Sequence, residues 1–122
     1  MKIRIKGNSV RFRLTKSEVE ALCKDGMIEE KTAFKDGVFR YTVKIDADAD
    51  ALRAEFKNQT ITLWLPEKHG KDWHQNEQVG FEHTMKLGDG QELYLLLEKD
   101  FVCLDNTTED QSDNYPNPKA IC

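Results

Sequence analysis

The chain has 122 residues, 39% hydrophobic and 33% charged, with a formal net charge of −4. That length supports one core and not two, the apolar share excludes wholesale disorder, and the mild negative charge gives no global field for nucleic acid or an acidic membrane. The opening MKIRIKGNS carries charge at every second position and no apolar run reaches a membrane span, so the cytoplasm is the expected location, with Cys23, Cys103 and Cys122 as free thiols.

Residues 2–6 and 10–14 alternate apolar and basic around Gly7-Asn8-Ser9, which predicts a β-hairpin. Its parity puts Ile3, Ile5, Val10, Phe12 and Leu14 on a core side and Lys2, Arg4, Lys6, Arg11 and Arg13 on the other. Thr15-Lys16-Ser17-Glu18 has the pattern of a capping box, so a helix starts there; Val19, Leu22, Cys23 and Gly26 share its apolar stripe, and Asp25-Gly26 ends it. Residues 27–34 and 38–45 flank Lys35-Asp36-Gly37 as a second hairpin, with Phe39, Tyr41, Val43 and Ile45 on one side and Arg40, Thr42 and Lys44 on the other. An acidic loop follows at residues 46–50, and residues 51–56 carry no decisive pattern. Residues 59–65 alternate Ile61, Leu63 and Leu65 with Thr60, Thr62 and Trp64 and read as a strand stopped by Pro66. The polar residues 67–78, which include His69 and His74, read as a surface connection. Residues 79–87 and 91–99 form the last hairpin across Gly88-Asp89-Gly90, with His83 expected among core residues, and residues 101–104 read as a further short strand.

These elements predict an α+β domain, mainly β: a bent antiparallel sheet or open barrel of roughly seven to eight strands with one short N-terminal helix. Residues 1–104 form a single core domain and residues 105–122 a polar C-terminal segment. Within that segment residues 105–114 have no aliphatic side chain and are expected in water. Tyr115-Pro116-Asn117-Pro118 and Ile121 are expected to dock on the body of the domain, because proline limits the freedom lost on docking and tyrosine offers a large apolar face.

The strongest chemical constellation is the basic strand face, from which Arg4, Arg11, Arg13, Arg40 and Lys44 are the candidate anion-binding residues. Turned inward, such a face needs a polyanion or carboxylates to compensate it, and phosphate is the natural ligand. Turned outward, it is a solvated sheet face whose Lys and Arg discourage edge pairing. A metal set drawn from His69, His74, His83 and Cys103 has no standard ligand spacing, and Asp105, Glu109, Asp110 and Asp113 lack the glycine and order of a calcium loop. Cys122 has no recognisable base, and glycine-rich phosphate loops and serine elbows are absent. No catalytic residue, metal or cofactor is therefore assigned. Two readings stand: a small non-enzymatic binding or interaction module for an anionic small molecule or a protein, or a binding protein or enzyme for a phosphate-bearing small molecule using the basic face. Neither reading calls for a membrane or nucleic acid, and both leave the oligomeric state open.

The opening MKIRIKGNSVRFRLTKSEVE, together with DQSDNYPNP at residues 110–118, resembles a family of short uncharacterised bacterial proteins, and the likeness runs through most of the chain. The resemblance implies a free-standing domain and transfers no site residue. The alternating charges on strands are also similar to those of triphosphate-tunnel enzymes, whose barrels they line. Those enzymes open on a Glu-x-Glu-x-Lys strand, whereas the first strand here is Lys2-Ile3-Arg4-Ile5-Lys6 and has no acidic pair for metal.

Overall fold

The alternating stretches become strands, and the strands come as four hairpins. In the computed structural model, which describes residues 1–101 and 112–116, β1 (Lys2–Lys6) and β2 (Ser9–Leu14) precede helix α1 (Lys16–Asp25). Then come β3 (Met27–Phe34), β4 (Gly37–Asp46), β5 (Arg53–Lys57), β6 (Thr60–Pro66), the short α2 (Glu67–Gly70), a 3-10 turn over Trp73–Gln75, β7 (Gly80–Gly88) and β8 (Gln91–Lys99). They make two four-stranded sheets, in the orders β1-β2-β8-β7 and β3-β4-β6-β5.

Both sheets are built alike. Each hairpin is antiparallel, and two hairpins join through their second strands, which run parallel: Phe12 lies opposite Leu97 in the first sheet and Val43 opposite Leu63 in the second. These inner strands carry the apolar load. Val10, Phe12, Leu14, Leu95 and Leu97 of one sheet and Val43, Ile61, Leu63 and Leu65 of the other form one buried cluster with Val19 and Leu22 of α1, Leu52 and Trp73. The strand with fewer apolar side chains in each hairpin is left at an edge, where Lys, Arg and Glu oppose pairing with another chain.

The fold is thus α+β and mainly β, but the expected single bent antiparallel sheet or open barrel is replaced by two mixed sheets, and the described residues form no closed barrel. Alternation and turn residues fix a hairpin locally; they do not say which hairpin lies beside which, or in what direction. Residues 51–56, undecided from pattern, hold the core residue Leu52 and most of edge strand β5, which begins at Arg53. The stretch expected as a surface connection folds into α2 and the 3-10 turn because Trp73 is fully buried, with its indole N–H donating to the Gln78 carbonyl at 2.8 Å. His83 is in register with buried Leu95, yet it is exposed and not a core residue: β7 is an edge strand, with no neighbour beyond it to cover the imidazole.

Helix α1 follows its sequence signals. The Glu18 carboxylate accepts from the Thr15 amide at 2.8 Å, and Gly26, at φ 82°, closes the helix by donating to the Leu22 carbonyl at 2.9 Å. The next amides of the first turn go elsewhere. Lys16 N–H donates to the Asp113 carbonyl at 2.9 Å, Ser17 N–H donates to Asp113 Oδ1 at 3.2 Å, and the Ser17 hydroxyl donates to Asp113 Oδ2. Asp113, expected in water with its acidic neighbours, is therefore tied to the helix end. Tyr115 donates its N–H to the Asp100 carbonyl at 2.8 Å, bridges to Phe101 and packs on the core. The remainder of the expected strand at 101–104, most of the acidic stretch, and Asn117, Pro118 and Ile121 lie outside the described residues. Among the described residues no helix is long and apolar enough to cross a membrane.

Candidate functional site

The strand registers lay out the face of the first sheet that points away from the core. Lys2, Arg13 and Glu98 form one row across it, Arg4, Arg11, Leu96 and Glu82 the next, and Lys6, Ser9, Tyr94 and Thr84 a third. Cations therefore gather on β1 and β2, and carboxylates on β7 and β8. Glu98, with its side chain only 16% exposed, accepts from Arg13 Nε at 2.7 Å and lies 3.4 Å from Arg11 Nε. Lys2 pairs with the buried Asp100 at 3.1 Å. Arg4 and Lys6 have no ion-pair partner among the described residues.

Arg4 and Arg11 stand directly opposite one another. With Lys6, Ser9, Val10 and Tyr94 they line a notch of about 260 Å³. Its hydroxyls are already engaged: Ser9 donates to the Lys6 carbonyl at 2.7 Å, and Tyr94 donates to the Glu82 carboxylate, a bond that pushes the Tyr94 phenol above its ordinary pKa. Of the sequence-derived anion residues, the fold brings Arg4 and Arg11 together and sets Arg13 in the neighbouring row. It does not bring in Arg40 and Lys44, which lie on the outward face of the second sheet. There Arg40 is flanked by Lys31 and sits 4.0 Å from Glu29, while Lys44 lies between Met27 and Trp64, whose ring carries the Arg53 guanidinium at 4.1 Å.

A second polar feature is inside the protein. Lys99 continues the inward parity of Leu93, Leu95 and Leu97 and is only 3% exposed. Its Nζ donates to the Asn76 carbonyl at 2.7 Å and lies 4.9 Å from the Tyr115 ring centroid and 5.7 Å from that of Trp73. Burial pushes the amine below its ordinary value, against the opposing pull of Cys23 and Glu77. Beside it is a chamber of about 390 Å³ lined by Asn76, Glu77, Val79, Lys99, Phe101, Tyr115 and Pro116. The Tyr115 hydroxyl is buried without a partner, and burial, joined by the charges of Glu20, Cys23 and Asp113, holds it up at about 12. Sequence reasoning passed over Lys99, although a lysine in phase with three leucines of one strand was a readable signal.

A further cleft, about 540 Å³, runs between the loop at Asp50–Leu52 and the outward side of β7 and β8. His69 lines it, stacked on Phe81 at 4.8 Å, and of its three carboxylates Glu82 and Glu98 are already held, by Tyr94 and by Arg11 and Arg13, which leaves Asp50 at the rim. His74 has a buried Nδ1 with no partner. Among the described residues no three His, Cys, Asp or Glu side chains gather as a metal set. Cys23 donates its thiol to the Gly70 carbonyl at 3.0 Å, and burial raises its pKa, which disfavours a thiolate nucleophile. Cys103, Asp105, Glu109, Asp110 and Cys122 lie outside the described residues.

Residues 1–119 match the model of a family of unknown function (DUF7009). No curated protein and no solved structure matches the chain.

Proposed function

The chain belongs to this family of unknown function, and from the site itself we propose that the protein is a non-enzymatic binding module that holds a compact anion, a phosphate group above all, in the notch of Arg4, Lys6 and Arg11. The observation that carries this reading is the direct opposition of Arg4 and Arg11 across β1 and β2. Like charges facing each other on a ladder are destabilising, and Glu98 answers only Arg11 and Arg13. An anion between the two guanidinium groups relieves that repulsion, and their forked donors suit a tetrahedral oxyanion. Binding without group transfer is favoured because both hydroxyls in the notch are committed to protein acceptors: Ser9 to a carbonyl, which cannot take its proton, and Tyr94 to the Glu82 carboxylate, a bond that raises the phenol's pKa and so opposes a phenolate nucleophile.

The test is a thermal-shift titration with tripolyphosphate and inorganic phosphate against chloride at matched ionic strength. A ligand of the native state raises the melting temperature by mass action. The expected result is a saturable rise with tripolyphosphate that is lost in Arg4→Gln and kept in Arg40→Gln. Equal stabilisation by chloride, or an equal response of the two variants, would refute the reading.

A further inference from the structure

We propose that the chamber beside Lys99 is a second binding site, for a small monocarboxylic acid with an apolar body, distinct from the anion notch on the outer sheet face. The argument starts from the amine. An ammonium has three donors, and among the described residues Lys99 Nζ uses one, to the Asn76 carbonyl at 2.7 Å. The aromatic faces of Tyr115 and Trp73 attract the cation but accept no full charge, and no carboxylate of the described residues is paired with it. A lysine that is only 3% exposed without a counter-ion is an unusual expense in a small domain.

The cavity lies where a counter-ion belongs. Asn76 and Tyr115, two of the groups that surround Nζ, also line the chamber, so the amine stands at its wall. Val79, Phe101, Tyr115 and Pro116 supply apolar walls, and the volume of about 390 Å³ falls in the range of small-molecule sites. Glu77 is the acidic group facing the chamber; it is exposed and forms no ion pair with the amine. An apolar body against Phe101 and Tyr115 with a carboxylate on Nζ satisfies both halves of the site, whereas a multiply charged phosphate would leave the apolar walls unused.

Benzoate, with benzyl alcohol as its neutral match, is the probe, and binding is followed by amide chemical-shift titration of the full chain. Benzoate should move the amides around Asn76, Val79 and Lys99 saturably, and should bind about tenfold or more tightly than benzyl alcohol, the difference a charge-assisted hydrogen bond makes. Lys99→Met should abolish that preference. Val79→Trp, which fills the chamber and leaves the amine in place, should abolish binding of both probes while its spectrum stays folded. Equal affinity for the two probes, benzoate binding undiminished in either folded variant, or no saturable shift in the native protein would overturn the proposal. Because Arg4→Gln leaves this site untouched, failure at one site is read separately from failure at the other.

Discussion

Replacing Asp113 by alanine removes a helix cap supplied from 96 residues away in the chain. The carboxylate accepts from the Ser17 amide at 3.2 Å and from the Ser17 hydroxyl, whereas the Lys16 amide bonds the Asp113 backbone carbonyl and survives the change. Loss of a side-chain cap costs about 1 kcal/mol, and the charge at the helix N-terminus adds about 0.3–1 kcal/mol. The site is open to water, which takes over part of both terms, and Val19 and Leu22 still anchor the helix in the core, so the net expectation is about 1 kcal/mol. For a chain of this size that is a fall in melting temperature of about 3–5 °C. The pH dependence is a second readout. The Ser17 hydroxyl bond holds the Asp113 carboxyl below its ordinary 3.8, so its stabilisation is complete above that value and disappears as pH falls through the lower folded value. Calorimetry should therefore show the difference between native and variant proteins at pH 7 and lose it near pH 2. An unchanged melting temperature at pH 7 would refute the capping geometry, and a difference that persists in acid would assign the effect to packing.

Gly80→Ala should cost about 3 kcal/mol in urea unfolding, because a Cβ there would lie 2.4 Å from the Leu97 carbonyl oxygen and 2.9 Å from Glu98 Cα, and backbone cannot yield as a flexible side chain does; a loss under about 1 kcal/mol would mean that the β7–β8 approach is looser than described. Tyr115 should resist ionisation to about 12, so between 10.0 and that value an unfolded chain loses a proton that the folded chain keeps, and stability falls as pH rises. Tyr115→Phe should remove that alkaline loss in melting curves taken across the range; identical slopes in both proteins would show that the hydroxyl is not buried.

Three of the four hairpins were legible because each rests on local chemistry; the β5–β6 hairpin, which turns at Asn58-Gln59, was not. Gly7-Asn8-Ser9, Asp36-Gly37 and Gly88-Asp89-Gly90 sit between alternating segments, and the strands begin and end within a residue or two of the expected positions. What lay outside local pattern was the partnership between hairpins. Phe12 pairs with Ile3 inside its own hairpin, but its partner on the other side is the distant Leu97, a choice made by burial of whole strands. The same gap split the candidate site: Arg4, Arg11 and Arg40 share a parity on their strands, but parity does not say that Arg40 belongs to another sheet. Trp73 shows the reverse case, in which one large apolar side chain outweighed the polar residues around it.

The nested order of the strands bears on how the chain finds its shape. The second sheet uses only β3 to β6 and is contiguous in sequence, pairing Thr42 with Thr62, whereas the first must bring Phe12 to Leu97. Loop-closure entropy makes the longer join costlier by about 1.3 kcal/mol if nothing has formed between. Once the inner sheet is made, that intervening chain is already short in space, and the outer sheet closes around it. Folding then runs from the middle of the sequence outward, and during synthesis β1 and β2 must wait, with their parallel edge unpaired, until the last hairpin leaves the ribosome.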